Sequence, residues 1–242
     1  MLLNIKSVTS PAYILGLICG CGLWLFTQVV VASQNVADKN YVTALNVLIN
    51  NIENMASTIQ AESIVMAMAK MLQEDSSIDP NTQGKHGYTL LMFASMLGQL
   101  EVMAILLADY RTDPNIQDNS DTTALIYASV ENQVAAVEAL LADKRTNPNI
   151  RDCYGHAALT LATEETVKIL LADKRTNPNI QDYADWTVLM NASFNGDIGI
   201  VKALLAHHKS KIDLKNDEGL TAYQIALYAG HIKIAKLFRK KL

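Results

Sequence analysis

Apolar positions recur along this chain in two patterns. Near the start they are almost continuous: from Ser7 to Ala37 there is no Asp, Glu, Lys or Arg, and Lys6 stands ahead of the run. From Thr89 they come in short groups at helical spacing. Leu91, Ala94 and Leu97 form one group, Gly98 interrupts it, and Val102, Ile105 and Leu106 begin another. The pattern predicts two short helices joined by a tight turn, closed by a polar turn through Pro114 and Asn115. The unit then returns. LLADYRTDPNI at 106–116 reappears as LLADKRTNPNI at 140–150 and again at 170–180. Pro80, Pro114 and Pro148 are spaced by 34 residues (114 − 80 and 148 − 114), Pro178 follows after 30, and Ile212 takes the proline's place 34 further on. A fixed period of this size predicts stacked units, each too small to bury its own apolar face.

At the start of each first helix stand TLLMFA from Thr89, TALIYA from Thr123, AALTLA from Ala157, TVLMNA from Thr187 and TAYQIA from Thr221. These segments resemble the ankyrin repeat, whose signature includes Thr-Pro-Leu-His-x-Ala at that place. The resemblance implies an all-α solenoid of stacked helix-turn-helix units with hairpin-like loops, here preceded by an N-terminal hydrophobic helix. Five repeats are expected over 79–242, at about 79–112, 113–146, 147–176, 177–210 and 211–242. A degenerate helical cap is expected at 34–78. Thr89, Thr123, Thr187 and Thr221 are placed to cap the inner helices, each worth about 1 kcal/mol. Ala94, Ala128, Ala162, Ala192 and Ala226 keep those helices thin, and the paired leucines of the outer helices, such as Leu140 with Leu141, fill the space behind them.

The departures from the family pattern carry expectations of their own. The family's proline is Leu90, Ala124, Ala158, Val188 or Ala222, and its histidine is Met92, Ile126, Thr160, Met190 or Gln224. The hydrogen bonding that this histidine supplies between repeats is therefore expected to be missing. The loop glycine survives as Gly87, Gly155 and Gly219 but becomes Asp121 and Asp185, and Asp tolerates left-handed backbone less well than Gly. The short period has a local origin: ATEETVKILL from Ala162 lacks four residues relative to ASVENQVAAVEALL from Ala128. Four residues are close to one helical turn. The outer helix should keep its phase, and this repeat should be the least regular of the stack.

Composition adjusts the picture. With 242 residues, half of them apolar, a substantial core is possible, and the net charge of −4 argues against nucleic acid as a partner. Cys19 and Cys21 fall inside the apolar run, and Cys153 alone remains for the rest of the chain, which excludes a disulfide framework or a cysteine-based zinc site there. Residues 1–33 read as a membrane-directed segment in one of two ways. Ala12–Phe26 has the length of a signal-peptide core with an acceptable cleavage site after Ala32; alternatively Pro11–Ala32 is long enough to remain as an anchor. Both send the remainder across a membrane, to a periplasmic, secreted or membrane-held location.

No nucleophile motif, phosphate loop or metal-ligand spacing is present, so the chain is read as a non-enzyme with no cofactor and no metal. Glu164 with Glu165 is read as a solvated helix end. His207 and His208, adjacent on a helix end, should point in different directions, and Cys153 should lie at a loop tip. What the resemblance implies instead is a concave surface for a protein partner, made by loop tips and exposed inner-helix positions. Those positions are Lys85, His86, Tyr88, Asn119, Thr122, Tyr154, His156, Tyr183, Trp186, Phe194 and Tyr228. Aromatic residues are 6% of the chain, yet they gather there, and Tyr and Trp present large area with few rotors. The expectation is a monomeric interaction scaffold, exported or membrane-tethered; the alternative is a membrane-anchored assembly or protective factor beside an envelope enzyme.

Overall fold

The structure, a computed structural model, describes residues 65, 66, 68–70, 72, 73, 76–239 and 241. The expected membrane-directed segment at 1–33, most of the cap at 34–78, and Lys240 lie outside them. The described residues are helical, with no strand longer than the isolated bridges Gln181–Thr187 and Lys215–Thr221. The chain divides into two compact units, residues 1–112 and 113–242.

In the first unit, described helical residues between 65 and 73 bury Val65, Met68, Ala69 and Leu72. They are followed by α1 (Leu90–Leu97) and α2 (Leu100–Ala108), which pack together. In the second unit the elements are α3 (Ala124–Val130), α4 (Val134–Ala142), a 3-10 turn at Ala158–Thr160, α5 (Glu164–Ala172), α6 (Val188–Asn195), α7 (Ile198–Ala206), α8 (Ala222–Tyr228) and α9 (Ile232–Arg239). Inner elements pack on inner ones and outer on outer: the 3-10 turn touches α3 and α6, α6 touches α8, and α5 touches α4 and α7. The small residues allow this approach. Ala94, Ala128 and Ala226 are fully buried, as are Leu140, Leu170 and Leu204 behind them. No helix among the described residues is long and apolar enough to cross a membrane.

Each threonine expected to start an inner helix does so. The Thr89 hydroxyl accepts the Met92 amide at 3.3 Å, and Thr123, Thr187 and Thr221 accept those of Ile126, Met190 and Gln224. The positions of the absent histidine are not idle, because Met92 Sδ, Met190 Sδ and Gln224 Oε1 reach back to accept the N–H of the capping threonine at 3.4, 3.5 and 2.9 Å. A thioether is a weak acceptor, but it answers a buried donor that would otherwise be orphaned. In the shortened repeat Ala157 has no hydroxyl to offer, and its inner element is reduced to the 3-10 turn. The outer helix α5 keeps all 9 residues.

The repeated phrase is explained by what it joins. Arg175 grips Asp173 through Nε and Nη2, at 3.0 and 2.5 Å, which fixes the guanidinium. Its Nη2 also donates to the Leu141 carbonyl at 2.7 Å, and its Nη1 to those of Thr146 and Lys144 at 2.7 and 3.1 Å. The Leu141 carbonyl belongs to the last turn of α4, where no intrahelical donor exists, so the arginine of one repeat caps the outer helix of the repeat before it. In the first unit Arg111 pairs with Asp109 and donates to the Ile78 carbonyl. The asparagine after the proline works in the other direction. Asn149 donates to the Arg175 carbonyl and accepts the Asn177 amide, both at 2.8 Å. Asn115 does the same to Arg145 and Asn147, and Asn179 to Lys209 and Lys211. Within the second unit each of these turns is thus tied to the next through backbone groups that any change of register would strand.

Candidate functional site

The loops that precede the inner helices of the second unit are each closed by one acidic or amide side chain. Asp118 Oδ1 accepts the amides of Ser120 and Thr122, Asp152 Oδ1 those of Tyr154 and His156, and Asp182 Oδ1 those of Ala184 and Trp186, all at 2.8 to 2.9 Å. Asn216 accepts the Leu220 amide in the last loop. A tight reversal follows in each loop, and it requires left-handed backbone: φ is 58° at Asp121, 85° at Gly155, 59° at Asp185 and 77° at Gly219. Gly155 is needed for space as well, since a Cβ there would lie 3.0 Å from the Tyr183 amide nitrogen. Successive tips are joined through their backbones. The Cys153 amide donates to the Ser120 carbonyl at 2.9 Å, Tyr183 to Tyr154 at 3.3 Å and Asp217 to Ala184 at 3.3 Å.

On this edge the structure places most of the expected binding residues. Tyr154 and Tyr183 stand out from neighbouring tips, 67% and 73% exposed. The Arg151 guanidinium lies 5.0 Å from the centre of the Tyr183 ring, and its Nε donates to the Gly155 carbonyl. His156 lies between two loops, with Nδ1 3.4 Å from Asp152 Oδ2 and Nε2 3.6 Å from Asp182 Oδ2. Trp186 is half-buried and meets the Phe194 ring edge to face at 5.8 Å; Phe194 stays half exposed, and Tyr228 is 86% exposed at the end of α8. Asn119 is exposed on its tip, whereas Thr122 is buried, its amide held by Asp118 and its hydroxyl turned to the Ser120 carbonyl.

Lys85, His86 and Tyr88 belong to the first unit. Lys85 and His86 are exposed beside Gly87, and the Tyr88 ring packs at 5.1 Å on Phe93. Sequence reasoning missed Arg151, although its position before the loop aspartate marks it. It also missed the aspartates themselves. Their signal was available, because Asp118, Asp152, Asp182 and Asn216 follow the repeat spacing of 34, 30 and 34 residues.

Three other expectations are settled. Cys153 is an exposed free thiol on its tip. Glu164 sits in the first turn of α5 and pairs with Lys168 at 2.8 Å. His207 and His208 do not point apart: their rings lie 4.9 Å from one another, because His207 has left the helix, with φ −78° and ψ 125°, and helical spacing no longer separates them. Burial is the main cause that holds the His207 imidazolium below its ordinary pKa, reinforced by His208 and Lys209 and opposed by a hydrogen bond with the Leu171 backbone.

Inner and outer helices joined by tight turns, with hairpin-like loops laid tip to tip, match a known family in sequence too. The family of ankyrin repeats (3 copies) matches residues 26–152, 91–182 and 155–241. The chain is an ankyrin-repeat protein. No curated protein is detectably similar to it. Among the described residues of this ankyrin-repeat chain, no group of three or more His, Cys, Asp or Glu side chains is arranged to hold a metal ion. What the loop edge offers is shape and surface: rigid backbone, exposed rings, and an open recess of about 620 Å³ whose lining includes Arg151, Asp182, Tyr183 and Asp185.

Proposed function

We propose that this ankyrin-repeat chain is a non-enzymatic scaffold that binds a protein partner along the loop tips and inner-helix ends of its second unit. The observation that carries this reading is the set of exposed rings: Tyr154 and Tyr183 on loop backbone tied tip to tip, with Phe194 and Tyr228 at the ends of α6 and α8. Ordering a flexible side chain or loop on binding opposes association. Rings with two rotors on loops already locked by Asp152 and Asp182 incur little of that cost, which is how aromatic residues become anchors in interfaces. The uncharged run from Ser7 to Ala37 behind Lys6 supports delivery of the repeats across a membrane, after which they are released by cleavage near Ala32 or held by the retained segment. Mass spectrometry of the mature N-terminus distinguishes the two, a start near Ser33 marking release.

The test is affinity capture with the whole chain, followed by titration of the captured protein against Trp186→Ala, Tyr183→Ala and Tyr228→Ala. At least one of these is expected to weaken binding by tenfold or more, about 1.4 kcal/mol, with helical content and melting unchanged for Tyr228→Ala. If all three fold and bind as the parent does, the surface is elsewhere.

A further inference from the structure

We propose that the segment this edge receives is basic: an extended stretch of the partner carrying arginine or lysine, laid across the tips of the second unit. The inference rests on the scaffold reading and adds the chemistry of the partner.

The first support is the sign of the charge at the tips. Asp121, Asp185, Asp217 and Glu218 are all exposed there, and none of their carboxylates makes a hydrogen bond or ion pair among the described residues. The loop aspartates 118, 152 and 182 are consumed in holding the turns, so these four are what a partner meets. Arg151 and Lys215 are the basic residues of the same four loops, and Arg151 is already committed to the Gly155 carbonyl and the Tyr183 ring. The turns after the outer helices have the opposite balance. There Asp143 and Asp173 are each taken up by an arginine, and the exposed Lys144, Lys174, Lys209 and Lys211 outnumber the exposed Asp113 and Asp213. The unit is polarised, and a small net charge on the whole chain conceals it. A field of one sign along an edge attracts a partner of the other sign and repels its like.

The second support is the company the carboxylates keep. Tyr183 already receives a guanidinium on its ring from within the chain, yet is still 73% exposed. Tyr154, on the next tip, is similarly open. A cation that settles on an aromatic face beside a free carboxylate gains from both, and the arginine fork is the group best shaped to do so. The recess between the Arg151 and Tyr183 loops has Asp182 and Asp185 against Arg151 in its lining, leaving an acidic balance and room for a long side chain. A glutamate-rich segment or a phosphate backbone would meet the same four carboxylates and be turned away.

The experiment uses the full chain and three fluorescein-labelled peptides of equal length, in which a Gly/Ser frame carries arginine, glutamate or glutamine at alternate positions. Anisotropy titration is expected to show saturable binding of the arginine peptide and none of the other two. The double variant Asp121→Asn/Asp185→Asn should weaken the arginine peptide by roughly fivefold to tenfold; Asn readily adopts the left-handed backbone of both sites, so the fold is kept. Glu138→Gln/Glu165→Gln changes the net charge equally on outer helices, away from the tips, and should leave affinity unaltered. Equal or tighter binding of the glutamate peptide overturns the inference, and so does an equal loss in the two double variants, which would reduce the effect to net charge. A captured partner that depends on Trp186 and Tyr183 but is indifferent to Asp121→Asn/Asp185→Asn leaves the scaffold standing and sinks the basic segment. If no captured protein depends on the aromatic residues, both fall.

Discussion

The Arg175 side chain makes six hydrogen bonds to backbone carbonyls or to Asp173 at 3.1 Å or less, and it is only 29% exposed. Removing it leaves the carbonyls of Leu141 and Thr146 without their charged donor, and a part-buried group stripped of its partner costs more than the bond contributed. Arg175→Ala is therefore expected to destabilise the protein by about 2 kcal/mol in urea unfolding, against roughly 0.5 kcal/mol or less for the exposed neighbour Lys174→Ala. Equal effects would mean that the phrase is repeated for some other reason than this clamp. At this scale the sequence was legible where a residue acts on its near neighbours. The threonine caps follow from a hydroxyl three residues before a free amide. The arginine clamp was not legible, because its acceptors lie 29 to 34 residues away and carry no signature of their own. The cap bonds of Met92 and Met190 were not legible either, because only the folded cap shows a thioether sulfur facing an N–H.

Among the elements, the shortened repeat is the informative one. Four missing residues and an alanine in place of the capping threonine remove the first helix almost entirely, leaving Ala158–Thr160 in a 3-10 turn. The following turn is held instead by side chains, with the Thr163 hydroxyl donating to Asn132 Oδ1 and sharing a hydrogen bond with Thr166 at 3.1 Å. Such a turn has few internal backbone bonds, so its amides should open locally. Hydrogen exchange is expected to be faster at 158–163 than at the matching inner helix 188–195, while 167–172 in α5 exchange like 201–206 in α7. Protection at 158–163 equal to that of α6 would show the repeat to be as cooperative as its neighbours. The deletion and its location were plain from alignment of the repeats. That α5 survives whole, with the loss confined to the inner element, follows from packing: Val167, Leu170 and Leu171 keep their places against α4 and α7.

For the molecule as a whole, the titrating groups give stability a stated dependence on pH. His207 has a folded pKa below its ordinary value of about 6.5. The unfolded chain therefore takes up that proton first, so His207 contributes in full above about 6.5, and the contribution is lost as pH falls through the lowered value. Asp143 and Asp173 follow at lower pH. Their pKa values are depressed chiefly by the side-chain hydrogen bonds from Arg145 and Arg175, and the stability they add is present above about 3.9 and disappears as pH falls through their folded values. Thermal midpoints should decline in two stages on acidification, and His207→Gln should flatten the first. Identical slopes for parent and variant between about pH 7 and pH 5 would exclude His207 from that stage.

Periodicity alone determined that this chain is built from like units and which of them is cut short. Those properties depend on spacing along the chain, which is what a linear sequence records. The tertiary structure decided how the units hold one another and what their edge presents. It put Thr122 inside a loop and Tyr154 outside one, turned Arg151 onto Tyr183, and separated free carboxylates at the tips from those spent on arginines. Residues of one type become different in kind only when a neighbour one repeat away satisfies some of them and leaves the others to solvent.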